Sequence, residues 1–186
     1  MWADIRTKVR YILGDVLLTG KDIFTYGSSD IFTLTESNAV AVFDVLVNDV
    51  GSAITWTYNP NSNKITLGSG LSLTTGDIVE IDYSYYSNYS NTELDGYIHN
   101  AVAQLTMHNY GEFIIKEDEI YPDCSLKDEN LIAVIAATIA KPNNMSWRLP
   151  DISVTAPIYA ELPLDKKISR LIAIAKKDNG GLFFIV

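Results

Sequence analysis

The sequence predicts an α+β fold: a helical bundle body with an inserted small antiparallel β-sandwich or barrel. Three observations predict it. From about Asp22 to Tyr86 the apolar residues recur at a period of two, with turn residues between the runs. On either side of that stretch they recur at three- and four-residue steps. At the seam, Ser90 and Glu93 have the S-x-x-E spacing of a capping box, and Tyr89 and Leu94 stand where a hydrophobic staple belongs. The expected division is a discontinuous helical body over 1–21 and 87–181, a β insert over 22–86, and an apolar C-terminal strand or tail over 182–186.

The first element is a short helix over about Ala3 to Leu13. Ile5, Val9, Ile12 and Leu13 share a face, Arg6, Lys8 and Arg10 are solvated, and Gly14 ends it. Val16 to Thr19 leads away, and Gly20 reads as a turn. Strands follow at Ile31–Thr35 and Val40–Val47, the second with Phe43, Val45 and Val47 on one face and Asp44 on the other. Asn48-Asp49-Val50-Gly51 supplies a turn. Ile54–Tyr58 alternates, Asn59-Pro60-Asn61-Ser62-Asn63 turns, and Lys64–Leu67 returns. After a turn at Thr75-Gly76-Asp77, the run Ile78–Tyr85 sets Val79, Ile81, Tyr83 and Tyr85 against Glu80 and Asp82. Five or six short strands of this kind point to a sandwich or barrel.

The capped helix then carries an apolar stripe of Leu94, Ile98, Ala101, Val102 and Leu105 to about Asn109, with Gly111 as its end. Glu112–Pro122 has no assignable pattern. Ser125-Leu126-Lys127-Asp128 is a weaker cap before Leu131–Ala140, which is apolar on nearly all sides and suits a buried helix stopped by Pro142. Asn143–Glu161 reads as irregular, either a loop packed on its own chain or an arm lying on a neighbouring subunit. Pro163 opens a last helix with Leu164, Ile168, Leu171, Ile172 and Ala175 as its stripe. Lys176 and Lys177 sit at its negative end, and Asn179-Gly180 offers a left-handed cap. Leu182, Phe183, Phe184, Ile185 and Val186 are costly in water. They require either this chain's sheet or another chain's sheet edge.

The totals exclude several classes. A length of 186 residues fits one domain, or one with an insertion, and 47% hydrophobic residues suffice for a core. A net charge of −9 argues against general affinity for nucleic-acid phosphates, while allowing DNA to pass by an acidic wall. Cys124 is alone, which rules out an internal disulfide and fits a reducing cytoplasm. The opening residues lack the apolar core of a signal peptide, and no apolar run approaches the roughly 20 residues that span a bilayer. The sequons at Asn88 and Asn144 read as chance.

No constellation carries catalysis, so the sequence gives no catalytic residue, no cofactor and no metal. His99 and His108 fall on different helix faces, away from acids at ligand spacing. Gly68-Ser69-Gly70 precedes no helix and makes no phosphate cradle. Glu117-Asp118-Glu119, with Asp123 nearby, lacks calcium-loop spacing and reads as a solvated face. Tyr83, Tyr85, Tyr86 and Tyr89 read as inward strand positions and a staple, with a sugar-binding or protein interface as the competing reading. Residues suited to subunit contacts are Trp147, Ile152 and Val154 in the irregular stretch, and Leu182 to Val186 at the end.

The arrangement resembles the head–tail connector, or adaptor, proteins of tailed bacteriophages. The likeness rests on the opening helix from Asp4 to Leu13 and on Val45-Leu46-Val47-Asn48-Asp49, Tyr58 and Lys64–Leu67. It continues through Thr75–Tyr83, through Tyr89–Leu94 with Tyr97, Ile98 and Ala101, and through Leu162-Pro163-Leu164-Asp165 leading into Ile168 to Ala175. The β insert departs from the smaller, mostly helical adaptors. The resemblance implies a structural, non-enzymatic virion protein at the head–tail interface, made in the host cytoplasm. Its copies form a homo-oligomeric, dodecameric ring beneath the portal protein, extend the DNA channel and present a platform to a downstream tail, stopper or nozzle protein. Genomic DNA passes without specific binding, and no membrane is involved. The competing reading is a β-sandwich binding module of a virion that takes a receptor or glycan.

Overall fold

The computed structural model describes residues 1–50, 54–68, 72–117, 119–143, 146–149, 152–155 and 162–177. The chain splits into two compact units, Val16–Ser90 and the pair of segments Met1–Asp15 and Asn91–Val186.

In the helix-bearing unit, α1 (Trp2–Leu13) buries Trp2, Ile5, Val9, Ile12 and Leu13. It stops at Gly14, whose φ of 67° is the left-handed conformation that a residue without a Cβ adopts freely. The N–H groups of Gly14 and Asp15 then satisfy the carbonyls of Tyr11 and Arg10, as in a Schellman cap. Helix α2 (Asn91–Met107) buries Leu94, Ile98, Ala101, Val102 and Leu105, the stripe that the sequence spacing marks. It ends two residues earlier than expected. Asn109, at φ 53°, takes the left-handed role expected of Gly111, and the N–H of Tyr110 reaches back to Leu105 at 3.0 Å.

Helix α3 (Leu126–Ala140) opens on a complete capping box: the Ser125 side chain accepts from the Asp128 N–H, and the Asp128 carboxylate accepts from the Ser125 N–H. It packs against α1, α2 and α4 (Leu164–Lys177), and this is why Leu131, Ile132, Ala133, Ile135, Ala136, Ala137 and Thr138 are all buried. Helix α4 buries Ile168, Leu171, Ile172 and Ala175.

Lysines tie the helix ends together. Lys127 donates to the Ala175 carbonyl at 2.8 Å, Lys176 to the His108 carbonyl at 2.8 Å, and the buried Lys167 to the Pro142 carbonyl. Each cation meets the partially negative end of a neighbouring helix or the turn just beyond it. Asp95 accepts from Trp2 Nε1 at 2.9 Å and from two nitrogens of Arg6 at 2.9 and 3.0 Å, joining α2 to α1.

The sheet-bearing unit holds β1 (Leu17–Thr25), β2 (Ile31–Thr33), β3 (Ala39–Val47), β4 (Trp56–Asn59), β5 (Lys64–Leu67) and β6 (Ile78–Tyr86). They form two three-stranded antiparallel sheets, ordered β1-β6-β3 and β2-β5-β4. Phe32, Leu34, Val45, Ile65, Leu67, Val79, Ile81 and Tyr83 from both sheets fill one buried cluster. Two turns follow from residue chemistry. Asn48 and Asp49 both have positive φ, 50° and 63°, the pattern of a type I′ turn that matches strand twist. The Asn59 side chain accepts from the N–H groups of Asn61 and Ser62, folding the β4–β5 connection over itself.

The expected helical bundle body with one inserted sandwich or barrel is not what forms. Among the described residues the fold is mixed, with four helices and several small antiparallel sheets. The helix-bearing unit contains strands of its own. Residues 112–122, patternless in sequence, contain the hairpin β7 (Ile114–Lys116) and β8 (Glu119–Tyr121), which buries Ile120. The stretch expected to be irregular contains β9 (Ser146–Leu149) paired with β10 (Ile152–Thr155), and β9 runs beside α1 of the same chain. In the other unit Gly20 is mid-strand in β1, not a turn.

Candidate functional site

The outward face of the β1-β6-β3 sheet is the candidate site, and strand alternation builds it. In β6, Val79, Ile81 and Tyr83 point into the core, so Glu80 and Asp82 point out; Ser84 follows on their side of the strand but is only 5% exposed, so that end of the face is covered. The β1 residues opposite these are Ile23, Lys21 and Thr19, which therefore share that outward face.

On the other flank, β3 does not alternate as its sequence suggests. Its register against β6 shifts between Ala39 and Ala41 and again between Val42 and Asp44. Such bulges add a residue to one strand and re-aim its side chains. Phe43 was expected beside Val45 and Val47 in the core. It is instead 55% exposed, while Val45 is 2% exposed.

Thr19, Gly20, Lys21, Phe43, Asp44 and Asp82 line an open cleft of about 450 Å³ on this face. Lys21 Nζ lies 2.7 Å from Glu80 and 3.6 Å from Asp82. The hydrogen bond to Glu80 is the main reason that the Lys21 amine holds its proton above the usual range, and the charge of Asp82 adds to it. Asp44 sits directly across the ladder from Asp82, and its Oδ1 accepts from the Val45 N–H at 2.9 Å. Two carboxylates thus flank one amine, a third stands on the far strand, and an exposed phenyl ring lies beside it. Chemically this face offers salt bridges, cation–π contact and apolar packing to something that lies against it.

Of the residues singled out in the sequence, those that are described belong to other elements. The backbone register of β9 and β10 pairs Trp147 with Val154 and Leu149 with Ile152. Leu182, Phe183, Phe184, Ile185 and Val186 lie outside the described residues, as does the Asn179-Gly180 cap. His99 meets the Trp2 ring edge-on at 5.2 Å, and the His108 carbonyl accepts from Lys176. Among the described residues no group of three or more His, Cys, Asp or Glu is placed to hold a metal ion. Of the acidic triplet, Glu119 accepts from the Tyr121 hydroxyl at 2.7 Å, and Asp118 lies outside the described residues.

The tyrosine run is largely structural. Tyr83 is 1% exposed, and its ring lies 6.0 Å from that of Tyr85. Burial, helped by the nearby Asp22 carboxylate, pushes the Tyr83 hydroxyl up to about 12. Gly68 has a packing role: a Cβ there would fall 2.0 Å from Thr55 Oγ1. Among the described residues no helix is long and apolar enough to cross a membrane.

Sequence reasoning missed the sheet face because two of its three strands hide it. Gly20 and the alternation Thr19, Lys21, Ile23 are the signals in β1. The bulges of β3 leave none. No protein-family model matches the chain, and no curated protein sequence matches it.

Proposed function

We propose that this protein is a structural subunit of a bacteriophage virion. Its copies form a ring adaptor below the portal, extend the DNA channel and offer a platform to the next tail component. The observation that supports this reading is strand β1. It is an edge strand of nine residues, and Val16, Leu17, Leu18 and Ile23 on or beside it are 59%, 55%, 40% and 62% exposed. Exposed apolar side chains at both ends of an edge strand are a liability for a free monomer and a ready contact for a subunit that works by assembly. The net charge of −9 suits a conduit wall that repels DNA phosphates. The resemblance to adaptor proteins in helix order and strand motifs points the same way.

The test is mass measurement and negative-stain imaging of the purified protein, alone and mixed with the portal protein of the same virus. Closed rings coaxial with the portal are the expected outcome. A monomer at every concentration that also fails to bind the portal overturns the reading.

A further inference from the structure

The 14 residues of α4 carry five cations, Lys166, Lys167, Arg170, Lys176 and Lys177, against one carboxylate, Asp165. In a chain of net charge −9 that is a local reversal of sign. Lys167 and Lys176 bond carbonyls of their own unit. Lys166, Arg170 and Lys177 are exposed, and spacings of four and seven residues put them, with exposed Ala173, on one stripe of the helix. The stripe opposes the buried stripe of Ile168, Leu171, Ile172 and Ala175 and is roughly 16 Å long.

The outward sheet face has the complementary character. Asp44, Glu80 and Asp82 outnumber Lys21 there, and exposed Phe43 and Ile23 stand on either side of them. We infer that the outward stripe of α4 in one copy lies on the outward β1-β6-β3 face of a second copy. In this contact Lys166, Arg170 and Lys177 meet the three carboxylates, Phe43 stacks against a cation, and Ala173 lets the helix approach closely. The two faces belong to different parts of the chain, so the contact is heterologous and leaves one free face of each kind on every pair. Such contacts close into rings or run on as filaments. The inference rests on the ring reading and names the two surfaces that join neighbours. Charge complementarity of this sort sets partner choice and register, and it weakens with salt.

The test uses the full-length chain and sedimentation velocity from about 50 to 500 mM salt. Two charge-reversed variants are needed, both altered only at exposed positions: Lys166→Glu/Arg170→Glu/Lys177→Glu on the helix, and Asp44→Lys on the sheet. Wild-type association is expected to weaken at least tenfold over that salt range, and each variant is expected to associate at least tenfold more weakly than wild type. Mixed together, the helix variant and the sheet variant each retain one working face, and a capped one-to-one dimer that grows no further is expected. Circular dichroism checks that both variants are folded. Rings that persist unchanged in both variants overturn the inference and leave the ring reading standing. A wild-type chain that neither self-associates nor binds the portal overturns both. Loss of binding to a short DNA duplex by the helix variant, with association unchanged, assigns the basic stripe to DNA and also overturns it.

Discussion

Gly20 lies directly across the β1–β6 ladder from Tyr83, and a Cβ at residue 20 would sit 3.1 Å from the end of the Tyr83 ring and 3.2 Å from that of Tyr85. Tyr83 is packed on all sides and has no room to withdraw. Glycine in a strand interior ordinarily weakens it, so replacement by alanine would normally help. Here the crowding opposes that gain. Gly20→Val is expected to lower stability by about 1–3 kcal/mol, read as a lower urea midpoint at unchanged slope. A midpoint at or above that of wild type would show that the ring moves aside.

Asp95 gathers Trp2 and Arg6 onto α2 through three hydrogen bonds, two of them from a guanidinium. Asp95→Ala leaves both donors without their acceptor in a half-buried setting. The expected loss is about 1–3 kcal/mol by urea unfolding, together with a change in Trp2 fluorescence. No change in either signal would mean that water replaces the carboxylate without cost.

The Cys124 thiol is pushed up from 9.0 to about 11, first by burial and then by the charges of Asp128, Glu129 and Asp123. Only the thiolate attacks a disulfide reagent, so a rise of that size lowers the reactive fraction at pH 8 by about 100-fold relative to an ordinary thiol. Slow labelling by an aromatic disulfide in the folded protein, and fast labelling in urea, is the expected pair of rates. Equal rates would contradict the shielding.

Alkaline stability follows from the same residue and two tyrosines. Tyr83 and Tyr110 are both raised from 10.0 to about 12, chiefly by burial, with Asp22 acting on the first and the Asp128 hydrogen bond on the second. All three groups hold their protons more tightly folded than unfolded. Their contribution is complete below about pH 8 and drains away as pH rises to about 11 for the thiol and about 12 for the tyrosines, because the unfolded chain releases protons first. The urea midpoint should therefore fall steadily across that window, and Tyr83→Phe should flatten the decline. A midpoint that holds or rises there is incompatible with this account.

Helix stripes were legible because each was written at a single period. Leu94, Ile98, Ala101, Val102 and Leu105 announced the buried face of α2 without ambiguity. What failed was whatever depended on a local irregularity. The β7–β8 hairpin has three-residue strands and turns at Glu117, which takes φ 49° without the Gly or Asn that usually signals such a turn. Strand β1 sets Gly20 and Asp22 on the inward side and Leu17 and Ile23 on the outward side, so its polarity runs against its geometry. Phe43 went to the wrong face because strict alternation has no place for a bulge. The candidate site depends on β1 and on that bulge, and it could not be composed from sequence.

Arg10 donates through one guanidinium nitrogen to Asp15 and through another to Asn91 at 2.8 Å. Those two residues are the points at which the chain departs from the helix-bearing unit and comes back to it. The gap in that unit is consequently narrow and already latched by its own side chains. A peptide of a few residues could bridge it, so the intervening 75 residues amount to an exchangeable cassette that lineages could gain, lose or swap without rebuilding the scaffold.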